Sequence, residues 1–331
     1  MRADALSIVE AAYAVDVDDE PWLSGIAEAA RAALDARLGM FTVAYDASVP
    51  SGFRILTSLV SGMAEALQPV LWEHTALFDP PWVEAVFLRM TCDHIRHRRF
   101  AQFAAAKPEL LDRLYRRHGI EDIFCINALD PTGLGHQINV LRSRRCELTA
   151  TERTKWSRVA AHIAAGNRLR QRLRRERDAR PEAVLAPDGK VVHAEGDATA
   201  KEARERLRES ARRRERVRAK SGRKDPHRAI AEWKGLIAAR WSLVDQFETD
   251  GRRYLVAQKN DPDVGGLESL TPRERCAVGF AVLGHSNKHI AYEMGIAPST
   301  VAVLLSRAAR RLGTRSRDEL VRKFLEGTKK G

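Results

Sequence analysis

The chain has 331 residues, enough for two or three domains with sizeable cores. Hydrophobic residues make up 44% and charged residues 30%, an ordinary balance for a soluble folded protein and not that of a disordered or collagenous one. The formal charge of +12 favours an anionic partner. That charge is uneven. From Leu267 onward 12 Lys and Arg face 6 Asp and Glu. Arg212, Arg213, Arg214, Arg216, Arg218, Lys220, Arg223 and Lys224 form a second basic run opposed only by Glu215. Asp16, Asp18, Asp19 and Glu20 make the beginning acidic. Such a layout suits a sensor at one end and a DNA binder at the other. Cys92, Cys125, Cys146 and Cys276 are scattered and suggest neither a disulfide framework nor a zinc site. There is no run of 18 apolar residues and no signal-peptide pattern in the first twenty, so the expectation is a cytoplasmic protein without a membrane partner.

Residues 1–178 read as one α+β domain. Leu23, Ile26, Ala30, Ala33 and Leu34 share one face of a helix over 21–38, which Gly39 breaks. Residues 40–45 (MFTVAY) are β-rich. Helices are expected around 58–71, 81–95 and 100–118. Residues 120–129 and 136–141 read as two strands joined by the Asp130-Pro131-Thr132-Gly133 turn. A long exit helix follows over 149–178, with Trp156, Val159, Ile163 and Leu169 as its apolar line. This order of elements resembles a GAF-like sensor domain. The resemblance implies a pocket over the sheet for a small-molecule ligand, with Trp72, His74, Phe78, Trp82, Phe87 and Met90 as candidate lining. The alternative is that these side chains are simply core. Cys92, His94 and His97 lie close together, but Arg96, Arg98 and Arg99 oppose a cation, so the segment reads as a solvated basic face and no metal or cofactor is expected.

Residues 181–260 read as a second, smaller α+β unit. Two hairpins turn at Asp188-Gly189 and Asp250-Gly251, and two helices over 198–218 and 227–239 lie between them. That order resembles a reduced PAS-like fold. The helix over 198–218 has only a thin apolar line, so it reads as mostly solvated, its last basic turn a candidate DNA-backbone contact. Residues 261–266, within the stretch NDPDVGG, read as a linker.

Residues 267–331 carry the densest signals. Thr271 is an N-cap, Pro272 fits the first helical position, and Glu274 completes a capping box. Ser286 caps a second helix bearing Ile290, Ala291 and Met294. Gly295 allows a left-handed turn, and Pro298 starts a third helix whose inner face carries Val301, Leu305 and Leu312. Ser316 with Glu319 caps a fourth helix. A helix, a tight glycine turn and a helix with an exposed face is the arrangement that lays one helix in the major groove; an ordinary helical bundle has the same periodicity.

The motifs LTPRE, GHSNKHIAYEMGIAPSTV and SRAARRLGTRSRDELV, in that order, resemble the LuxR-type DNA-binding domain. The whole chain is thus expected to be an α+β sensory region, GAF-like then PAS-like, followed by an all-α four-helix helix-turn-helix domain. The resemblance implies a DNA-binding transcriptional regulator, not an enzyme, that dimerises through its last helix, with RNA polymerase as a further partner. It places Ser286, Asn287 and Lys288 at the scaffold-helix start, with Lys288 on a phosphate. Thr300, Arg307, Arg310 and Arg311 are further phosphate candidates. Ser299, Ala302, Val303 and Ser306 should face the groove, and Leu320, Val321, Phe324 and Leu325 the homodimer partner. Ala302, Val303 and Leu304 stand where such domains often carry polar residues. Base reading is therefore expected to be soft, through thymine methyls and DNA shape, or else these residues meet a protein surface in an interaction module. Among the sequence motifs of catalysis, none of the glycine-rich phosphate loop, HExxH, CxxC or nucleophile elbow occurs.

Overall fold

Two antiparallel sheets, each with its own helices, precede a bundle of four helices. The computed structural model describes residues 4–48, 53–67, 69, 79–95, 115–176, 179–247, 251–265 and 267–328. Contacts divide the chain into two compact units, 1–129 with 133–164, and 130–132 with 165–331.

In the first unit, α1 (Ala5–Ala12) starts from a capping box between Asp4 and Ser7. The second helix, α2 (Asp19–Ala33), buries Trp22, Leu23, Ile26 and Ala30. Its strands are β1 (Met40–Asp46), β2 (Arg54–Ser61), β3 (Cys92–His94), β4 (Asp122–Leu129) and β5 (Leu134–Arg142), in the order β2-β1-β5-β4-β3. Strand β2 corrects the helix expected around 58–71. Ile55, Thr57 and Val60 are β-branched, and the segment pairs with β1 from Arg54 to Ser61. The helix expected over 81–95 is likewise shorter. Asp79 caps α3 (Pro80–Val83), one π-helical turn follows to Leu88, and the chain then enters β3 against β4. His94 is buried there, its Nδ1 3.0 Å from the Asp122 carboxylate, and Cys92 is buried as well, so these two belong to interior strand, while Arg96, Arg98 and Arg99 of the expected basic face lie outside the described residues. His97 and most of the helix expected over 100–118 lie outside the described residues; 116–118 form a 3-10 turn.

Trp82, Phe87 and Met90 are buried in this unit's core. The Asn127 side-chain amide donates to the carbonyls of Phe87 and Met90, and the Phe87 ring sits 5.2 Å from Tyr45 and 4.5 Å from Phe53. Trp72, His74 and Phe78 fall outside the described residues.

Helix α4 (Ala150–Arg175) carries the chain into the second unit. There β6 (Ala183–Leu185), β7 (Val191–Ala194), β8 (Trp241–Phe247) and β9 (Arg253–Lys259) form a sheet in the order β7-β6-β9-β8. Helix α5 (Lys201–Arg218) buries Leu207, Ala211, Arg214 and Val217, which is a fuller inner face than the sequence suggested. Arg214 and Arg218 both donate to Asp245 on β8, and Arg253 pairs with Glu215, so part of the basic run is tied to the sheet, while Arg213 and Arg216 pair with Glu209 on the helix's outer side. The helix expected over 227–239 ends early: α6 is Pro226–Glu232. After it Ala238 and Ala239 take left-handed conformations, φ 53° and 58°, in a turn closed by Ile237 N–H donating to Trp241 C=O.

The stretch expected as a linker is anchored. Asn260 is fully buried, donating from its side chain to Ala165 O and Ser242 Oγ, and Val264 packs into the core of the helical domain that follows. That domain consists of α7 (Pro272–Val282), α8 (Asn287–Met294), α9 (Pro298–Arg311) and α10 (Arg317–Thr328) around Phe280, Ile290, Met294, Val301, Leu305, Leu320 and Phe324.

Candidate nucleic-acid interface

The turn between α8 and α9 is built from local chemistry. Ser286 Oγ accepts the His289 amide at 3.3 Å and starts α8. Gly295 ends it at φ 62°, a left-handed position a Cβ disfavours. Pro298 then stands at the start of α9 behind Ala297, which supplies no side-chain cap. Thr271 and Glu274 cap α7 reciprocally.

On α9 the outward residues are Ser299, Thr300, Ala302, Val303, Ser306, Arg307, Arg310 and Arg311, all exposed; Val303 is 48% exposed. Val301, Leu304, Leu305 and Ala308 face the core. Leu304, grouped with Ala302 and Val303 in the sequence reading, is thus inside, because it falls one turn from Val301 and Ala308 on the inner face. Lys288 is exposed one residue into α8, while Asn287 Oδ1 accepts from Arg317 of α10 at 2.8 Å. Arg311 donates to Ser269 O and lies 3.4 Å from the Glu274 carboxylate, so much of its charge is already answered.

The dimerisation candidates divide. Leu320 and Phe324 are buried in the core of their own domain, Val321 packs partly against it, and Leu325 is 38% exposed. The four-residue stripe read from the sequence is therefore narrower on the surface. A four-helix domain this small closes its core only with help from its last helix.

Two contacts within the second unit were not legible in the sequence. The Tyr292 hydroxyl lies 2.6 Å from Ile230 O and 2.9 Å from Trp233 O, and Ala239 N–H donates to Met294 O at 2.7 Å. With Arg273 donating to Ala238 O, these hold the helix-turn-helix against residues 230–239 and tie down the left-handed pair there. Beside this dock is a cleft of about 1040 Å³. Thr300, Val303, Arg307 and Arg311 line one side, and Asp197, Glu202, Arg206 and Arg240 line it as well.

Burial is the largest cause holding the His285 imidazole well below its ordinary pKa, and His289 and Arg317 push the same way. His285 stacks on Phe280 and meets His289 edge-on at 4.5 Å. The sequence reading passed over these histidines; their four-residue spacing in GHSNKHIAYE was the available signal.

Residues 268–324 match the sequence profile of the bacterial regulatory proteins of the luxR family. No curated protein matches the chain in sequence. A crystal structure of SdiA from Escherichia coli aligns over 95% of this chain and 92% of that one, with 9% identity and a TM-score of 0.35. The match falls on the four helices whose capped turn and exposed α9 face have just been described. Residues 268–324 are accordingly a luxR-family helix-turn-helix domain, and the chain that carries it is a DNA-binding transcriptional regulator.

Proposed function

We propose that this regulator binds two-fold duplex DNA sites as a homodimer, with Lys288, Thr300, Arg307 and Arg310 on phosphates and Ser299, Ala302, Val303 and Ser306 toward base edges. The observation that carries the reading is the exposed outer row of α9 on a matched luxR-family scaffold. Neither Ala302 nor Val303 can donate a hydrogen bond, so methyl contacts and DNA shape supply the discrimination. The α+β region before it senses a small molecule or a partner protein. What supports control from that direction is the cleft, which four outer residues of α9 share with residues 196–206 of the second unit. In this reading the chain is not an enzyme. It works in the cytoplasm, where its DNA is, and acts on RNA polymerase directly or by exclusion. Among the described residues no helix is long and apolar enough to cross a membrane. The interaction-module alternative is weakened by Leu304, which is core and not surface.

The test is a binding selection on the full chain with a random duplex library, followed by a salt titration on the selected site. The expected result is an enriched, pseudo-palindromic, A·T-leaning site whose affinity falls steeply with salt. Absence of enrichment, or an affinity insensitive to salt, would overturn the reading.

A further inference from the structure

The region of α8 brings together three groups to which the proposed DNA contacts assign no role. His289 and Glu293 stand four residues apart in α8 and share one side of it, and His285 precedes the helix cap. One ring nitrogen of each histidine and one carboxylate oxygen of Glu293 lie within 4.8 Å of one another. His289 Nε2 is already 3.4 Å from Glu293 Oε1. His285 and Glu293 are buried, at 7% and 4% exposure. Among the described residues neither His285 Nδ1 nor His289 Nε2 has a hydrogen-bond partner. Two buried ring nitrogens without a hydrogen bond, one of them only 3.4 Å from a buried carboxylate, are an arrangement a folded chain does not hold without cost.

We infer that His285, His289 and Glu293 form a binding site for a divalent first-row transition cation of the zinc class. Two imidazoles and one carboxylate are a donor set zinc takes with a fourth position left open. Bonds of about 2.0–2.2 Å in a tetrahedral arrangement put donor atoms roughly 3.4 Å apart. The His289–Glu293 separation meets that value as it stands. The other separations lie within 4.8 Å and so close by at most about 1.4 Å, which rotation of the imidazoles and of the Glu293 carboxylate can supply. Charge decides the remainder. The Arg317 guanidinium, which donates to His285 O and Asn287 Oδ1, works against a cation. The Glu293 carboxylate works for one and sits in the ligand set itself, where the interaction is stronger. A bound ion would clamp the turn at 285 to the middle of α8, bracing the segment that presents Lys288.

The experiment uses the full chain and cobalt(II) as an optical stand-in for zinc. Titration should give one saturable ion per chain with the intense visible absorption of tetrahedral cobalt, displaced by zinc. His289→Gln and Glu293→Gln, checked by circular dichroism for intact helix, should each weaken binding at least about tenfold. His289→Cys provides a readout that misfolding cannot imitate. If residue 289 is a ligand, the cobalt complex gains a thiolate charge-transfer band absent from the wild type. Absence of saturable binding by the wild type would overturn the site. So would unchanged affinity in either folded glutamine variant, which would place the ion on other histidines, or a His289→Cys complex without the new band.

Discussion

Gly295 and Gly313 offer a matched pair of perturbations. Both stand at φ 62°, at the ends of α8 and α9. An alanine at either position incurs the cost of the left-handed conformation, about 1–2 kcal/mol. Their surroundings differ. A Cβ on Gly313 meets nothing within 4 Å, whereas a Cβ on Gly295 would stand 1.8 Å from Leu236 O and 2.7 Å from its carbonyl carbon. Backbone cannot rotate away as a side chain can, so Gly295→Ala must push the helix-turn-helix off residues 230–239. The Tyr292 hydroxyl bond and the Ala239 N–H to Met294 O bond go with it. At about 1 kcal/mol each, net, their loss adds roughly 2 kcal/mol. Gly295→Ala is therefore expected to cost about 3–4 kcal/mol and Gly313→Ala about 1–2 kcal/mol. Urea unfolding of both variants, followed by tryptophan fluorescence, measures the difference; Trp233 and Trp241 flank the dock. Equal losses, within about 0.5 kcal/mol, would refute the dock.

Lys288→Ala should weaken binding to all duplexes alike and lower the salt slope by about one; a loss confined to one base position would contradict a phosphate contact. Val303→Lys should sharpen the selected DNA site by adding a donor to the groove-facing row, and a wild-type site that is already sharp and G·C-specific, unchanged by the substitution, would show that this row does not read bases. Leu325→Arg should abolish the proposed homodimer in sedimentation while leaving the domain folded, because Leu325 is exposed; unchanged mass would remove α10 from the interface. Phe324→Arg, in contrast, should unfold the domain, since Phe324 is 3% exposed in its core.

Much of the architecture was legible because its signals are local. Strand β1, the hairpin β4–β5, both hairpins of the second sheet and the caps at Thr271, Ser286 and Ser316 each follow from residues a few positions apart. The misreadings share one cause. Segment 54–61 has apolar residues compatible with either period, and only pairing with β1 settles it as strand. Segment 92–94 reads as the end of a helix until its pairing with β4 makes it strand. Asn260 and Val264 read as linker by composition, yet their partners, Ala165, Ser242 and the core of the last domain, are distant in sequence.

For the interface the same division holds. Which residues of α9 face outward is nearly determined by the sequence, since the 3.6-residue period and the apolar positions leave few choices; Leu304 was the exception, at the edge of the apolar arc. Family membership of residues 268–324 was likewise written in contiguous motifs. Only the tertiary structure could decide that Leu320 and Phe324 belong to the core, that Tyr292 and Gly295 dock on residues 230–239, and that His285, His289 and Glu293 are buried together. Burial and docking depend on which distant surfaces meet, and periodicity along one helix carries no information about what covers it.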